Sequence, residues 1–237
     1  MRSWMQKLMG KPEKPSPAMA DIEGIGALLD SVLGNEGFVL HEIVSDEVHV
    51  DVMVYPPRAD RQTFLLVTCG MSALPMSAPD DEARFAELCL ELPPDWLITP
   101  AAFKNERNYW PVRLLKDLAR LPHRHQTWFA LGHTVANGDP DKPYADNTRL
   151  CAAMLVQPVF LPEEIRNLPL LNRSNETARL FQVVPIYRTE MEYKLEHGFA
   201  PFIERLTALF EKMGAGQEVV VDRPDCCYLD TSPPTVN

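Results

Sequence analysis

The chain has 237 residues, 46% of them hydrophobic and 24% charged, with a formal net charge of −10. That length buries a core without disulfides or metal, and it suits one domain with tails better than two domains. The acidity argues against phosphate backbones and anionic lipid as ligands and suits a basic partner.

The opening MRSWMQKLMGKPEKPSP holds no apolar run of signal-peptide length, and nothing later approaches a membrane span, so a cytoplasmic location is expected. Pro12, Pro15 and Pro17 among Lys, Glu and Ser mark residues 1–20 as a flexible lead-in. The domain is expected over 21–223, and 224–237 reads as a C-terminal tail. Asp21 is placed to cap a first helix, in which Ile22, Ile25, Leu28, Leu29 and Val32 share a stripe that Gly34 ends. Gly24 and Gly26 fall inside this helical pattern, without the preceding strand and third glycine of a phosphate-cradling loop.

Two strands are expected next. In the second, Val48, Val50, Val52 and Val54 line one face while His49, Asp51, Met53 and Tyr55 line the other. Phe64–Cys69 is nearly all apolar, as in a strand covered on both sides. From Phe85 to Leu92, Ala86, Leu88, Leu90 and Leu92 alternate with Phe85, Glu87, Cys89 and Glu91. Trp110 and Pro111 are read as the start of a helix with Leu114, Leu115, Leu118 and Leu121 on its apolar stripe. Strands are expected at Trp128–Leu131, Leu150–Val156 and Arg179–Ile186. Thr189 and Glu192 fit a capping box, and Phe199–Met213 carries the clearest helical stripe, stopped by Gly214. The pattern predicts an α+β fold: one domain with a mixed, largely antiparallel sheet covered by helices.

Few residues suggest chemistry. His123, His125 and His133 could jointly hold a metal through imidazole nitrogens, giving a metal-assisted hydrolase as the alternative function. Yet His123 and His125 follow Pro122 in an expected polar turn, without a carboxylate or cysteine at ligand spacing, and no metal or cofactor is expected. Ser72 lies in CGMSALP, which lacks the second glycine of a nucleophile elbow, and reads as a cap. Asp51 and Glu87 are expected on the solvent face of the sheet rather than as an acid–base pair. The five cysteines, odd in number and without framework spacing, fit a reducing compartment. Cys69, Cys89 and Cys151 read as buried free thiols, and adjacent Cys226 and Cys227 match no metal motif. FKNERNYWPVR (103–113) interleaves basic and aromatic residues, but the net charge speaks against nucleic acid. The segment 132–147, GHTVANGDPDKPYADN, is expected to be a long loop suited to binding.

DVMVYPP, LLVTCGMS, ELCLELPPDW, WPVRLLKDLAR, LGHTV and FQVVPIYRTEMEYKLEHG occur in this order. Together they resemble the Suppressor of fused family, over the span from Asp30 to Gly214. The resemblance implies a mixed α/β domain without known catalysis. Animal relatives regulate Hedgehog signalling by holding a transcription-factor peptide between two lobes, partly by strand addition. This chain resembles the first lobe alone, as do bacterial relatives associated with polymorphic toxin systems and proposed as immunity proteins. The implied function is a non-catalytic, protein-binding scaffold, an immunity protein for a cognate toxin. Its partner is a protein or peptide, such as a basic toxin domain, and not nucleic acid or membrane. Matching to the relatives' contact regions points to Leu121 and His133, and with the loop to Thr134, Asn137 and Asp139. A third reading is a module that joins a larger complex through the Pro-rich lead-in.

Overall fold

The computed structural model describes residues 17–34, 37–42, 48–79, 84–170, 173 and 176–228. In chain order they form α1 (Pro17–Leu33), β1 (Phe38–Leu40), β2 (Asp51–Tyr55), β3 (Phe64–Cys69), β4 (Ala86–Leu92) and α2 (Glu106–His125). After these come β5 (Thr134–Ala136), β6 (Ala152–Val156), β7 (Asn167–Pro169), β8 (Thr177–Ile186), α3 (Arg188–His197) and α4 (Phe199–Met213).

The strands make one mixed sheet in the order β1-β2-β3-β4-β8-β6-β5, with β7 beside the start of β8. Every pairing is antiparallel except β4 with β8, where Ala86 faces Arg179. β8 is the longest strand and holds the halves together: β4 lies along one side, and β7 and then β6 share the other.

Alternation along the strands sorts side chains onto two faces. The four valines at 48, 50, 52 and 54 meet Leu66, Leu88, Leu90 and Val183 on the face covered by α2, through Trp110, Leu114, Leu115 and Leu118. On the opposite face, Met53, Tyr55, Leu65, Val67 and Cys89 pack against Ile25, Leu29 and Leu33 of α1. Further along that face, Met154, Val184 and Ile186 pack against Phe202, Leu206 and Phe210 of α4. Each sheet face therefore has its own apolar periodicity, which is why strands in the middle read as continuous apolar runs.

Local chemistry moves several boundaries away from the expected ones. α1 starts at Pro17 rather than Asp21; the lead-in before it lies outside the described residues. α2 starts at Glu106, four residues before Trp110, because Asn105 accepts the Arg107 N–H at 3.0 Å and caps the helix there. The helix also runs through Pro122, so His123, Arg124 and His125 form its last turn rather than a polar turn, and Gln126 ends it at φ 49. Trp128–Leu131 is not a strand. The chain instead turns at Leu131–Gly132, where Gly132 has φ 79 and its N–H reaches Leu155 O at 2.7 Å. A Cβ on Gly132 would sit 2.8 Å from the Phe199 ring, so only glycine allows this approach to α4. At α3 it is Glu190, not Glu192, that accepts the first-turn N–H of Tyr187, at 2.9 Å.

Residues 224–228, expected in the tail, are tied to the body. Cys226 is buried against the α4 layer, and its N–H donates to Glu190 Oε1 at 3.0 Å.

Candidate partner-binding site

Among the described residues, β5 pairs only with β6 and so forms one edge of the sheet. The register Thr134↔Met154, Val135↔Ala153 and Ala136↔Ala152 fixes which backbone groups are free. His133 O accepts from Leu155 N at 2.9 Å, and Asn137 N donates to Cys151 O at 2.8 Å. Antiparallel alternation then turns the odd-numbered residues towards β6 and the N–H and C=O groups of Thr134 and Ala136 outwards. Two residues thus offer a short edge ladder.

The side chains around this edge are held in place. The His133 ring tilts against Trp128 with centroids 6.1 Å apart. Val135 and Trp128 pack on the α2-covered core, and Leu121, half-buried at the end of α2, lines the margin of that same layer. Asn137 closes the turn that follows: its Nδ2 donates to Lys142 O at 2.7 Å, and Lys142 N returns a bond to Asn137 O at 3.0 Å. Asp139 is exposed at the tip of this turn.

Beyond the tip, Asp141 pairs with Arg188. Tyr144 stacks on Trp110 at 5.1 Å with planes 7° apart, and Tyr144 N bonds to Leu150 O at 3.0 Å. The expected long loop is therefore a three-residue strand and an anchored excursion. Through Arg188 it adjoins a groove of about 480 Å³ lined by Arg149, Tyr187, Thr189, Asp225 and Tyr228. Arg149 lies over the Tyr187 ring at 5.5 Å. The sequence does not reveal this groove, because Pro224, Asp225 and Tyr228 on its wall read as tail.

The proposed metal trio does not converge. His123 makes a hydrogen bond from Nε2 to Met71 O at 3.1 Å, His133 is tilted against Trp128, and His125 is exposed on the last turn of α2. Among the described residues, the grouping with ligand-like spacing is Asp225, Cys226 and Cys227. Its carboxylate is engaged, since Asp225 accepts from Cys227 N at 2.9 Å and from the Thr189 hydroxyl. Burial, first of all, pushes both thiols above their ordinary range, which disfavours the thiolates a metal needs.

Asp51 and Glu87 are not on a solvent face. Glu87 is 0% exposed and sits in a cage of donors. Oε1 accepts from Gly70 N (3.0 Å), Ser72 N (3.0 Å) and Ser72 Oγ (2.7 Å), and Oε2 accepts from Thr68 Oγ1 (2.6 Å). Ser72 is thus a donor to this acid, neither a nucleophile nor a simple cap. The cage depends on Gly70, at φ 133, where any Cβ would run into the His49 carbonyl oxygen. Burial raises the Glu87 carboxyl above the usual range, and the Ser72, Thr68 and backbone donors only partly offset it.

Asp51 is a separate site, bonded to His41 Nδ1 and His49 Nε2 at 2.9 Å each and to Glu42 N at 2.9 Å. Burial alone would raise its carboxyl. The Glu42 N–H and the two histidines outweigh that and hold it low. The two acids share no proton and form no acid–base pair.

These features define a class of protein: a single-sheet α+β scaffold with an open edge strand at β5 and a braced turn beside it. The Suppressor of fused protein (SUFU) family model matches residues 46–220, and the chain belongs to that family. Structural relatives share the fold at low identity. A SUFU homolog from Neisseria gonorrhoeae FA 1090 aligns with TM-score 0.62 and 17% identity, over 88% of this chain and 97% of its own. A chain in the crystal structure of the Sufu–Fu complex aligns with TM-score 0.60 and 15% identity, over 90% and 93%. Drosophila Suppressor of Fused aligns with TM-score 0.58 and 16% identity over 92% of this chain, which spans 54% of that longer one. A search of curated protein sequences finds no match. No described helix is long and apolar enough to cross a membrane.

Proposed function

We propose that this chain is a non-catalytic cytoplasmic binding protein whose partner adds a strand to β5 and reads the adjoining turn. The observation that carries this is the outward-facing backbone of Thr134 and Ala136 on the sheet edge. His133, Thr134, Asn137 and Asp139 then flank the incoming strand, and Leu121 belongs to the same margin. A relative crystallised as the Sufu–Fu complex supports protein binding as the family's mode of action. All five cysteines are free thiols, which suits a reducing compartment.

The partner we infer is a cognate toxin with a basic domain, which would make the chain an immunity protein. The net charge of −10 supports this partner class, because opposite charges steer association. The test is co-expression with the products of neighbouring genes, followed by pull-down. A basic toxin-like protein should be retained by the native chain and lost with Ala136→Pro, which deletes an outward N–H without touching the β6 ladder. Retention of the toxin by the Pro variant at native strength would refute strand addition. Failure to retain any neighbouring product would refute the immunity role.

A further inference from the structure

The groove beside the turn 137–142 holds a cation without an acid. Asp and Glu outnumber Lys and Arg in this chain by 33 to 23. Arg107, Arg113, Arg120, Arg188 and Arg223 each take one of those acids as a partner. Arg149 takes none: among the described residues it forms no ion pair and no hydrogen bond, and its guanidinium lies over the Tyr187 ring. That ring is a fixed support, since Tyr187 is 5% exposed and its hydroxyl donates to Arg223 O. A guanidinium stacked on an aromatic face keeps its N–H fork free at the edge, where it meets an oxyanion with two parallel bonds.

The rest of the wall chooses among oxyanions. Asp225 stands in it, with its carboxylate held by Cys227 N and the Thr189 hydroxyl, while Arg188 is neutralised by Asp141. The local balance is therefore Arg149 against Asp225, which repels a doubly charged phosphate more than a carboxylate. The Tyr187, Cys226 and Cys227 N–H groups are already spent on Glu190 and Asp225, so they form no backbone nest for a chain terminus. Pro224 is exposed and Tyr228 is 70% exposed, which gives an apolar side for the body that carries the acid.

We propose that this groove binds the carboxylate of an Asp or Glu side chain, carried by the partner that adds its strand to β5. The source of the acid rests on that reading; the chemistry of the groove does not. A basic partner then bears one acid at this place, which fixes its register on the edge. NMR titration of the full chain tests it with blocked dipeptides, read at the Arg149 Nε–H and at the amides of 187–189 and 225–228. Acetyl-Phe-Glu-amide should shift these signals saturably, and acetyl-Phe-Gln-amide, the same body without the charge, should bind about tenfold more weakly. Arg149→Gln should remove the preference for the acid, and Arg149→Lys, which keeps the charge but loses the fork, should retain part of it. Ala136→Pro should leave dipeptide binding unchanged, so failure of strand addition and failure of the groove are read apart. Equal binding of the two dipeptides to the native chain overturns the proposal without any variant, as does an acid preference that survives Arg149→Gln. Tighter binding of phenyl phosphate near pH ~7.5, or of acetyl-Gln-Phe with a free C-terminus, gives the groove to a phosphate or a chain end and also overturns it.

Discussion

Glu87 and Glu190 are both fully buried acids, and their neighbours treat them differently. Glu87 meets only neutral donors, whereas Glu190 is gripped by Arg223, with both bonds at 2.6 Å, and accepts Cys226 N at 3.0 Å. Removing the guanidinium with Arg223→Ala strands a charge in the core and should cost ~3–5 kcal/mol in chemical denaturation. The double variant Glu190→Gln with Arg223→Met should recover most of that loss. If the single and double variants are equally unstable, the pair is not what the arginine contributes. For Glu87 the folded carboxyl lies above its unfolded value, so its stabilising effect is present at low pH and lost as pH rises through the folded pKa. Thermal melts of native protein and Glu87→Gln, started near pH ~4 and taken upwards, should show the native chain losing ground to the variant. A gap independent of pH would contradict that. Neither acid could be placed from sequence. Glu87 obeys the alternation of an exposed position, and nothing local announces that Thr68, Gly70 and Ser72 enclose it from the neighbouring strand and turn. Arg223 lies 33 residues from its partner, in a stretch without periodicity.

At the scale of elements, apolar spacing was a good guide wherever burial set it. The valine alternation, the doubly covered Phe64–Cys69 and the stripe of α4 all appear in the fold as read. Termini were less legible, because caps act through single polar bonds: Asn105 starts α2 before its apolar stripe begins. β5 was missed as a strand, since Thr134, Val135 and Ala136 are too few to show a period. The edge makes a graded expectation. Thr134→Pro and Ala136→Pro should each abolish partner capture, while Val135→Pro, which breaks a bond to β6, should lower the melting temperature as well. Equal melting losses for all three would mean that the outward assignment of Thr134 and Ala136 is wrong.

The whole chain carries a formal net charge of −10, and the proposed partner is basic. Association should then slow by about tenfold or more between low salt and about 0.5 M salt, with dissociation changing far less. Stopped-flow mixing across that range checks it; a rate indifferent to salt would remove charge as the basis of recognition. Charge alone was legible from composition, whereas the groove beside Arg149 and Tyr187 was not, because it closes only when residues far apart in the chain meet.

The order in which β8 enters the sheet has a consequence for biosynthesis. Cys89 on β4 and Gln182 on β8 touch across 93 residues of intervening chain. Until that strand leaves the ribosome, β1–β4 and β5–β6 exist as two unjoined half-sheets with raw hydrogen-bonding margins. Such distant pairing slows folding and lengthens exposure to chaperones and proteases. Nascent chains halted before Thr177 should accordingly be degraded readily, and those from which Tyr228 has also emerged should resist.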